Sequence, residues 1–391
     1  MKIGLSLIGI RKSSGGNFQY AMNMLHALKN SMNHNHLVIF YNNQELMDEP
    51  DFKLSGVKYV YVGHPEEKWL MLRRLARLLY GAGVNILHSW AMGCYAELDK
   101  HDCNVIFHPY WGTAGFITNT PAVVAIHDCA PREAPQTMSW HSRFKLDLLI
   151  RCIIRHARII LADSEHGRLI LSKYYKVPFE NIEVLPFRPP SYLSLQPENK
   201  VREVLDKYQI HQRYLFLPGR WGSYKNTERV LAALKLVVNQ GFDLKLVLTG
   251  FLGKNEFSSA KDEITHNGLA NRVYVLGFVP DEDMAALFQG ALALIFPTLL
   301  GPTSIPVYEA MALNCPVIVS NISGYPEQVG DAGILVDPYS VEDISNAIIK
   351  VAQDKCLCEK MSKKGQDKIR NLLEIDYGKI FVELAHKAVS E

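Results

Sequence analysis

The chain has 391 residues, 48% of them apolar and 21% charged, which excludes a disordered or fibrous protein and calls for two domains rather than one core. Its 42 Lys and Arg against 40 Asp and Glu leave a net charge of +2, so any phosphate must be bound by a local site and nucleic acid is not an expected partner. Seven scattered cysteines without C-x-x-C spacing point to a reducing compartment.

From the N-terminus, short Val/Ile/Leu runs alternate with amphipathic helical patterns, the mark of parallel strands covered on both faces. The first half predicts strands at 2–10, 36–41, 57–62, 85–90, 104–109, 122–128, 158–164 and 182–187. A second series follows at 213–220, 244–250, 272–278, 291–298, 315–321 and 333–338. The opening strand is followed by no small-residue cleavage site, so no signal peptide is predicted. The longest apolar stretch, Leu146 to Ala162, is interrupted by Arg151, Arg155 and Arg158, short of the roughly 18 apolar residues of a membrane span. A soluble, cytoplasmic protein is expected. Three prolines in 188–200 mark a linker. The expected fold class is therefore α/β, with two doubly wound, Rossmann-like domains at 1–190 and 200–375 facing a central cleft, function lying in the strand-to-helix loops.

Four of those loops carry candidate residues. After the first strand, Arg11, Lys12, Ser13, Ser14, Gly15 and Gly16 lead into a helix predicted over Phe18–Lys29. A glycine pair there lets backbone N–H groups approach an anion, although a plain tight turn fits the same residues. His127 and Asp128 end the strand at 122–128, where a histidine can reach a sugar hydroxyl; a core histidine satisfied by Asp128 is the alternative. In PGRWGSYKN (218–226), Arg220 and Lys225 are spaced to clamp a diphosphate, or else form a solvated basic loop. In GPTSIPVYEAM (301–311), Thr303 or Ser304 can cap a helix opened by Pro306, leaving bare N–H groups for a phosphate. Glu309, one turn inside, can accept paired ribose hydroxyls or merely complement the helix dipole.

Asp281-Glu282-Asp283 matches a cation-binding Asp-x-Asp pattern but opens an amphipathic helix, and the 14 histidines lack metal-ligand spacing, so no metal is predicted. Arg73, Arg74 and Arg77 in 68–80, and Arg151, Arg155 and Arg158 in 143–158, form basic stripes that suit a peripheral contact with anionic lipid at the inner membrane face. Solvated faces of crossover helices are the other reading of both stripes.

Taken in order, the Gly-Gly loop, the strand-end HD, SEHGR, GR-x4-K, VYVLGFVPDEDMAALF and GPTSIPVYEAMALNCPVI resemble the family 4 retaining glycosyltransferases over about residues 2 to 345. That resemblance implies the GT-B arrangement, with the nucleotide sugar in the C-terminal domain, the acceptor in the N-terminal one, and a final helix (376–391) returning to the N-terminal domain. Gly15 and Gly16 would approach the donor diphosphate, Arg220 and Lys225 would hold its phosphates, and Thr303, Ser304 and Ile305 would present backbone N–H groups. Glu309 would take the ribose and His127 would lie near the reacting sugar. Catalytic roles are thus implied for His127, Arg220 and Lys225, with no cofactor beyond the donor. The family's Glu-x7-Glu is broken, since Gly301 stands eight residues before Glu309. The implied activity is transfer of a hexose, of mannosyl type, to a glycan or lipid-linked acceptor in polysaccharide or O-antigen assembly. A nucleotide-sugar epimerase and a catalytically silent sugar-nucleotide-binding protein are the rival readings.

Overall fold

The computed structural model describes residues 1–12, 15–32, 36–49, 52–53, 55–63, 70–81, 83–84, 92–190, 193–219, 223–250 and 261–390, with the backbone alone at 70–74 and 223. The expected strand at 85–90, as well as Ser13, Ser14, the Arg73 and Arg74 side chains, and Arg220, lies outside the described residues. The chain divides into two compact units, one formed by Met1–Pro186 with Ile375–Glu391 and the other by Phe187–Glu374.

The first unit is a seven-stranded sheet in the order β3-β2-β1-β4-β5-β6-β7. Its strands are β1 (Ile3–Ser6), β2 (Leu37–Tyr41), β3 (Lys58–Tyr61), β4 (Val105–His108), β5 (Ala122–Ala125), β6 (Ala157–Ala162) and β7 (Ile182–Val184). Every pairing is parallel. The helices that supply the crossovers include α1 (Gly16–Ser31), α2 (Leu70–Gly81), α3 (Trp140–His156) and α4 (Glu165–Tyr175). Strands β1, β4 and β5 are buried at every position, which is why they read as unbroken apolar runs rather than as alternating ones.

The second unit repeats the plan with six parallel strands in the order β10-β9-β8-β11-β12-β13. These are β8 (Tyr214–Leu217), β9 (Lys245–Thr249), β10 (Val273–Gly277), β11 (Ala293–Phe296), β12 (Val317–Ser320) and β13 (Ile334–Val336). Around them lie α5 (Glu198–Lys207), α6 (Thr227–Asn239), α7 (Asp281–Gly290), α8 (Ile305–Ala312), α9 (Tyr325–Val329), α10 (Val341–Gln353) and α11 (Lys355–Glu374). Strand order reverses between β1 and β4 in one sheet and between β8 and β11 in the other, and such switch points leave an open crevice at the carboxyl ends of the strands. The proline-rich segment expected to be irregular through residue 200 is already helical from Glu198, because Pro197 stands just before the first turn, where a missing N–H costs nothing.

The last helix, α12 (Tyr377–Ser390), lies in the first unit against α1. Gly378 permits that approach, since a Cβ there would fall 2.6 Å from the Ala27 carbonyl oxygen. Tyr377 donates its hydroxyl to the Pro186 carbonyl at 2.7 Å, and Phe381 meets Phe107 of β4 edge-on at 5.6 Å.

Candidate active site

In the second unit, the loops leaving β8 and β11 flank the switch point, and between them they carry Lys225, Thr303, Ser304 and Ile305. The loops are tied together: the Leu299 N–H donates to the Tyr224 carbonyl at 2.8 Å, and buried Asn226 donates to the carbonyls of Pro297 at 2.8 Å and Pro338 at 2.6 Å. Asn226 adopts the left-handed conformation (φ 60°) at the N-cap of α6, a strained geometry that the two amide bonds hold in place.

Lys225 sits over the Phe296 ring at the end of β11, its Nζ 3.9 Å from the centroid. Among the described residues it makes no ion pair, and burial pushes its pKa down to about 7. Gly219 makes room for it: a Cβ there would lie 3.3 Å from Nζ, and φ is +109°. An ammonium desolvated without a counter-charge is costly, and a bound anion would remove the cost.

At the start of α8, the backbone of Ser304 occupies the N-cap position, but its hydroxyl does not cap the helix, contrary to the sequence expectation. Gln328 of α9 takes over, accepting from the Ser304 N–H at 2.9 Å and donating to its carbonyl at 2.7 Å. The Thr303 hydroxyl does not cap either and, among the described residues, is buried without a hydrogen-bond partner. Glu309 is 9% exposed, and burial, with Asp281 nearby, pushes its carboxyl up to about 8.

Gly301 has a steric explanation. A Cβ at 301 would come within 2.7 Å of Tyr325 Cζ, so the tyrosine ring fills the space a side chain would enter. The Tyr325 hydroxyl meets Thr298 Oγ1 at 2.7 Å, and Ser320 donates to the Thr298 carbonyl at 2.5 Å, so neutral hydroxyls line the place. Sequence reading missed Tyr325, Asn226 and Gln328; only Tyr325, one residue before the Pro-Glu of α9, had a visible cue in its bulk.

In the first unit, Gly15 (φ +57°) and Gly16 open α1 and are exposed, and one turn on, Tyr20 meets the His127 ring edge-on at 4.7 Å. His127 is 7% exposed with both nitrogens engaged: Nδ1 lies 3.0 Å from Asp163 Oδ1 and Nε2 lies 2.8 Å from the Pro109 carbonyl. It is therefore a satisfied histidine, with Asp163 in the place expected for Asp128, whose carboxylate instead accepts from the Ala130 N–H at 3.0 Å. The register explains the pair, since Ala125 of β5 lies opposite Leu161 of β6 and the two side chains follow two residues beyond. A carbonyl only accepts, so Nε2 carries a proton, and Nδ1 donates to the carboxylate. Burial alone would lower this imidazole's pKa, but Asp163, the Pro109 carbonyl and Asp128 outweigh it and hold the pKa above its usual value.

Other expectations resolve locally. Asp283 accepts from Lys207 Nζ at 2.6 Å and the Tyr208 hydroxyl at 2.7 Å, as a structural carboxylate does. Within SEHGR, Ser164 caps α4 and His166 pairs with Glu133 at 2.7 Å. Arg77 leaves its expected basic stripe: it is 4% exposed, with its guanidinium 4.8 Å from the Tyr95 ring centroid. Arg151 is tied to Asp147 at 3.0 Å. All seven cysteines are free thiols, and no helix among the described residues is long and apolar enough to cross a membrane.

Residues 201–368, which include Lys225, Thr303, Ser304, Ile305 and Glu309, match the family of glycosyl transferases group 1. Among curated proteins the chain is similar to O-antigen chain mannosyltransferase B of Escherichia coli, 28% identical over 62% of this chain and 64% of the relative. It is also similar to the O-antigen chain mannosyltransferase RfbU of Salmonella typhimurium, 24% identical over 59% of this chain and 60% of the relative. These alignments thus span less than two thirds of either relative. A solved structure of Anabaena Alr3699/HepE in complex with UDP and glucose superposes with a TM-score of 0.76 at 16% identity, covering 99% of this chain and 100% of that one. The fold is GT-B, and the family match falls within the second unit.

Proposed function

We propose that the chain is a retaining hexosyltransferase that moves a mannosyl-type sugar from a nucleoside diphosphate donor to a glycan or lipid-linked acceptor in polysaccharide or O-antigen assembly. The observation that carries this reading is the half-buried ammonium of Lys225, which makes no ion pair among the described residues, lies beside a switch-point crevice and is joined by one hydrogen-bonded loop pair to the α8 N-terminus. That combination suits a diphosphate: a point cation, N–H groups of Thr303, Ser304 and Ile305, and a helix dipole. Arg220, five residues before Lys225, supplies the forked cation, and Glu309 accepts ribose hydroxyls. Gly15 and Gly16 approach the diphosphate by backbone. The mannosyltransferase relatives and the UDP-bound neighbour support the donor class and the sugar type.

In this reading, the glycosidic bond to the leaving diphosphate breaks as the acceptor hydroxyl attacks from the same face, and a departing phosphate oxygen takes the acceptor proton. Lys225 and Arg220 stabilise the charge that develops on that diphosphate, so the step asks for neither a metal nor a protein nucleophile. His127, with both N–H groups already donated, acts as a fixed positive group near the sugar rather than as an acid or base. Tyr325 and Thr303 replace the carboxylate absent at Gly301 with neutral hydroxyls. Incubating the protein with GDP-, UDP- and dTDP-sugars, with and without glycan acceptors, tests the proposal. Acceptor-dependent release of nucleoside diphosphate is expected. Conversion of the donor without acceptor would mean an epimerase, and ligand-induced stabilisation without turnover would mean a silent binder.

A further inference from the structure

The loop that leaves β4 carries two aromatic rings that the donor site does not use. Tyr110 and Trp111 lie 5.2 Å apart between centroids, with 33° between their planes, and both are half-buried. Trp111 packs against the buried cluster that includes Phe116, Val124 and Ile126, which holds the ring without enclosing it. The loop is fixed as well: the Pro109 carbonyl accepts from His127 Nε2 at 2.8 Å, and the Gly115 N–H donates to the Gly112 carbonyl at 3.0 Å. A Cβ at Gly112 would meet nothing within 4 Å, so the space next to the rings is open. Neither the Tyr110 hydroxyl nor the Trp111 indole N–H makes a hydrogen bond among the described residues, although such groups ordinarily find a partner once their rings are covered. Asp128 is close by: burial first, and then the Asp128 charge, push the Tyr110 hydroxyl above its usual pKa. Oδ1 of Asp128 accepts from the Ala130 N–H at 3.0 Å, and Oδ2 makes no hydrogen bond among the described residues.

We propose that Tyr110, Trp111 and Asp128 hold the terminal sugar of the acceptor, and that this protein reads its acceptor as a neutral glycan end rather than through a carrier phosphate. The inference rests on the transfer reading above for the ligand's role as acceptor, and on the rings and the carboxylate for its chemistry. A pyranose presents a face of weakly positive C–H groups, which stacks on the negative face of an aromatic ring. Its rim of hydroxyls can donate to a carboxylate and accept from an indole N–H or a phenol. Charge argues against a phosphate at the same place. The basic side chains of the neighbouring loops are already engaged, His127 with Asp163 at 3.0 Å, Arg132 with Asp147 at 2.8 Å and His166 with Glu133 at 2.7 Å. Asp128 has no ion pair among the described residues, so a phosphate on the rings would meet its charge uncompensated.

Titration of the full chain without nucleotide, followed by saturation-transfer NMR, tests this separately from the donor reading. The probes are methyl α-mannoside, methyl α-glucoside, an α-linked mannobiose and, as the anionic counterpart, mannose 6-phosphate. Wild type is expected to bind at least one neutral probe with a Kd of ~1–10 mM, and mannose 6-phosphate ~10-fold more weakly. Trp111→Ala should weaken the neutral probe by ~3- to 10-fold, with Trp111→Phe recovering part of the loss if the larger change disturbs the loop. Asp128→Asn keeps an acceptor for the Ala130 N–H; it should weaken the neutral probe by ~5-fold and narrow the gap to mannose 6-phosphate, which a merely structural carboxylate would not do. Stabilisation by GDP or UDP in thermal melts should be the same in all variants as in wild type, so a failure of the donor reading shows there and not in the sugar titration. Wild type that binds none of the neutral probes, or that binds the phosphorylated one as tightly, overturns the proposal. Wild-type sugar affinity in both Trp111→Ala and Asp128→Asn overturns it too, as does loss of nucleotide stabilisation in Trp111→Ala, because the rings would then hold a base.

Discussion

Replacing Lys225 with methionine keeps the apolar stem and removes the ammonium, which should make the free protein more stable while weakening its hold on a nucleotide sugar. Burial pushes the folded pKa from 10.5 to about 7, whereas the unfolded chain keeps the ordinary value. Between those two values the unfolded chain binds more protons, so wild-type stability rises with pH across the window, and the full cost of the buried charge is present below pH 7. A drop of that size corresponds to ~5 kcal/mol at ~1.4 kcal/mol per pKa unit. The Phe296 ring, 3.9 Å from Nζ, and residual solvent access offset much of this, leaving ~1–2 kcal/mol. Lys225→Met should therefore melt roughly 2–6 °C higher than wild type at pH 6, with the gain shrinking toward pH 10.

The same charge governs binding. A nucleotide sugar has no proton to lose near neutrality, so above pH 7 its binding to wild type must recharge the lysine. Affinity should then fall by up to ~10-fold per pH unit, and calorimetry in buffers of different ionisation enthalpy should register proton uptake near pH 8. Losing a charge-assisted contact of ~1.5–3 kcal/mol predicts ~10- to 100-fold weaker binding for the variant and removes its pH dependence. A variant that is less stable than wild type at pH 6, or that binds with wild-type affinity, would refute the assignment of Lys225 as a counter-charge held ready for an anion.

Glu309, pushed up to about 8 in the fold, makes the native state bind more protons than the unfolded chain between pH 4.5 and 8, so its contribution to stability falls across that range. Glu309→Gln should match wild type at pH 5, exceed it by ~1–3 kcal/mol at pH 9 in urea titrations, and bind nucleotide ~10-fold less tightly. Gly301→Ala should cost ~1–3 kcal/mol by overpacking against Tyr325, and its combination with Tyr325→Ala should cost less than the sum of the single changes; additive urea midpoints would contradict the steric account. His127→Ala strands the buried Asp163 carboxylate and should destabilise by ~3–5 kcal/mol, with Asp163→Asn in the same chain restoring part of the loss; a neutral effect on thermal unfolding would reject the pair.

The sequence alone determined the strands and their parallel arrangement, because covering both faces of a sheet requires unbroken apolar runs, and β1, β4, β5, β8, β11 and β12 are apolar at nearly every position and buried throughout. It also placed Lys225 and Thr303 in strand-to-helix loops, because turn chemistry is local. What contacts what across the sheet was decided only by tertiary structure. His127 is paired with Asp163 by the register of β5 against β6, 36 positions away in sequence. The α8 N-terminus is held by Gln328 rather than by its own hydroxyls, and Tyr325 fills the space beside Gly301 from another helix. Arg77 turned inward and Trp140 outward for the same reason. A helical period tells which residues share a face, but only packing against neighbours decides which face is buried.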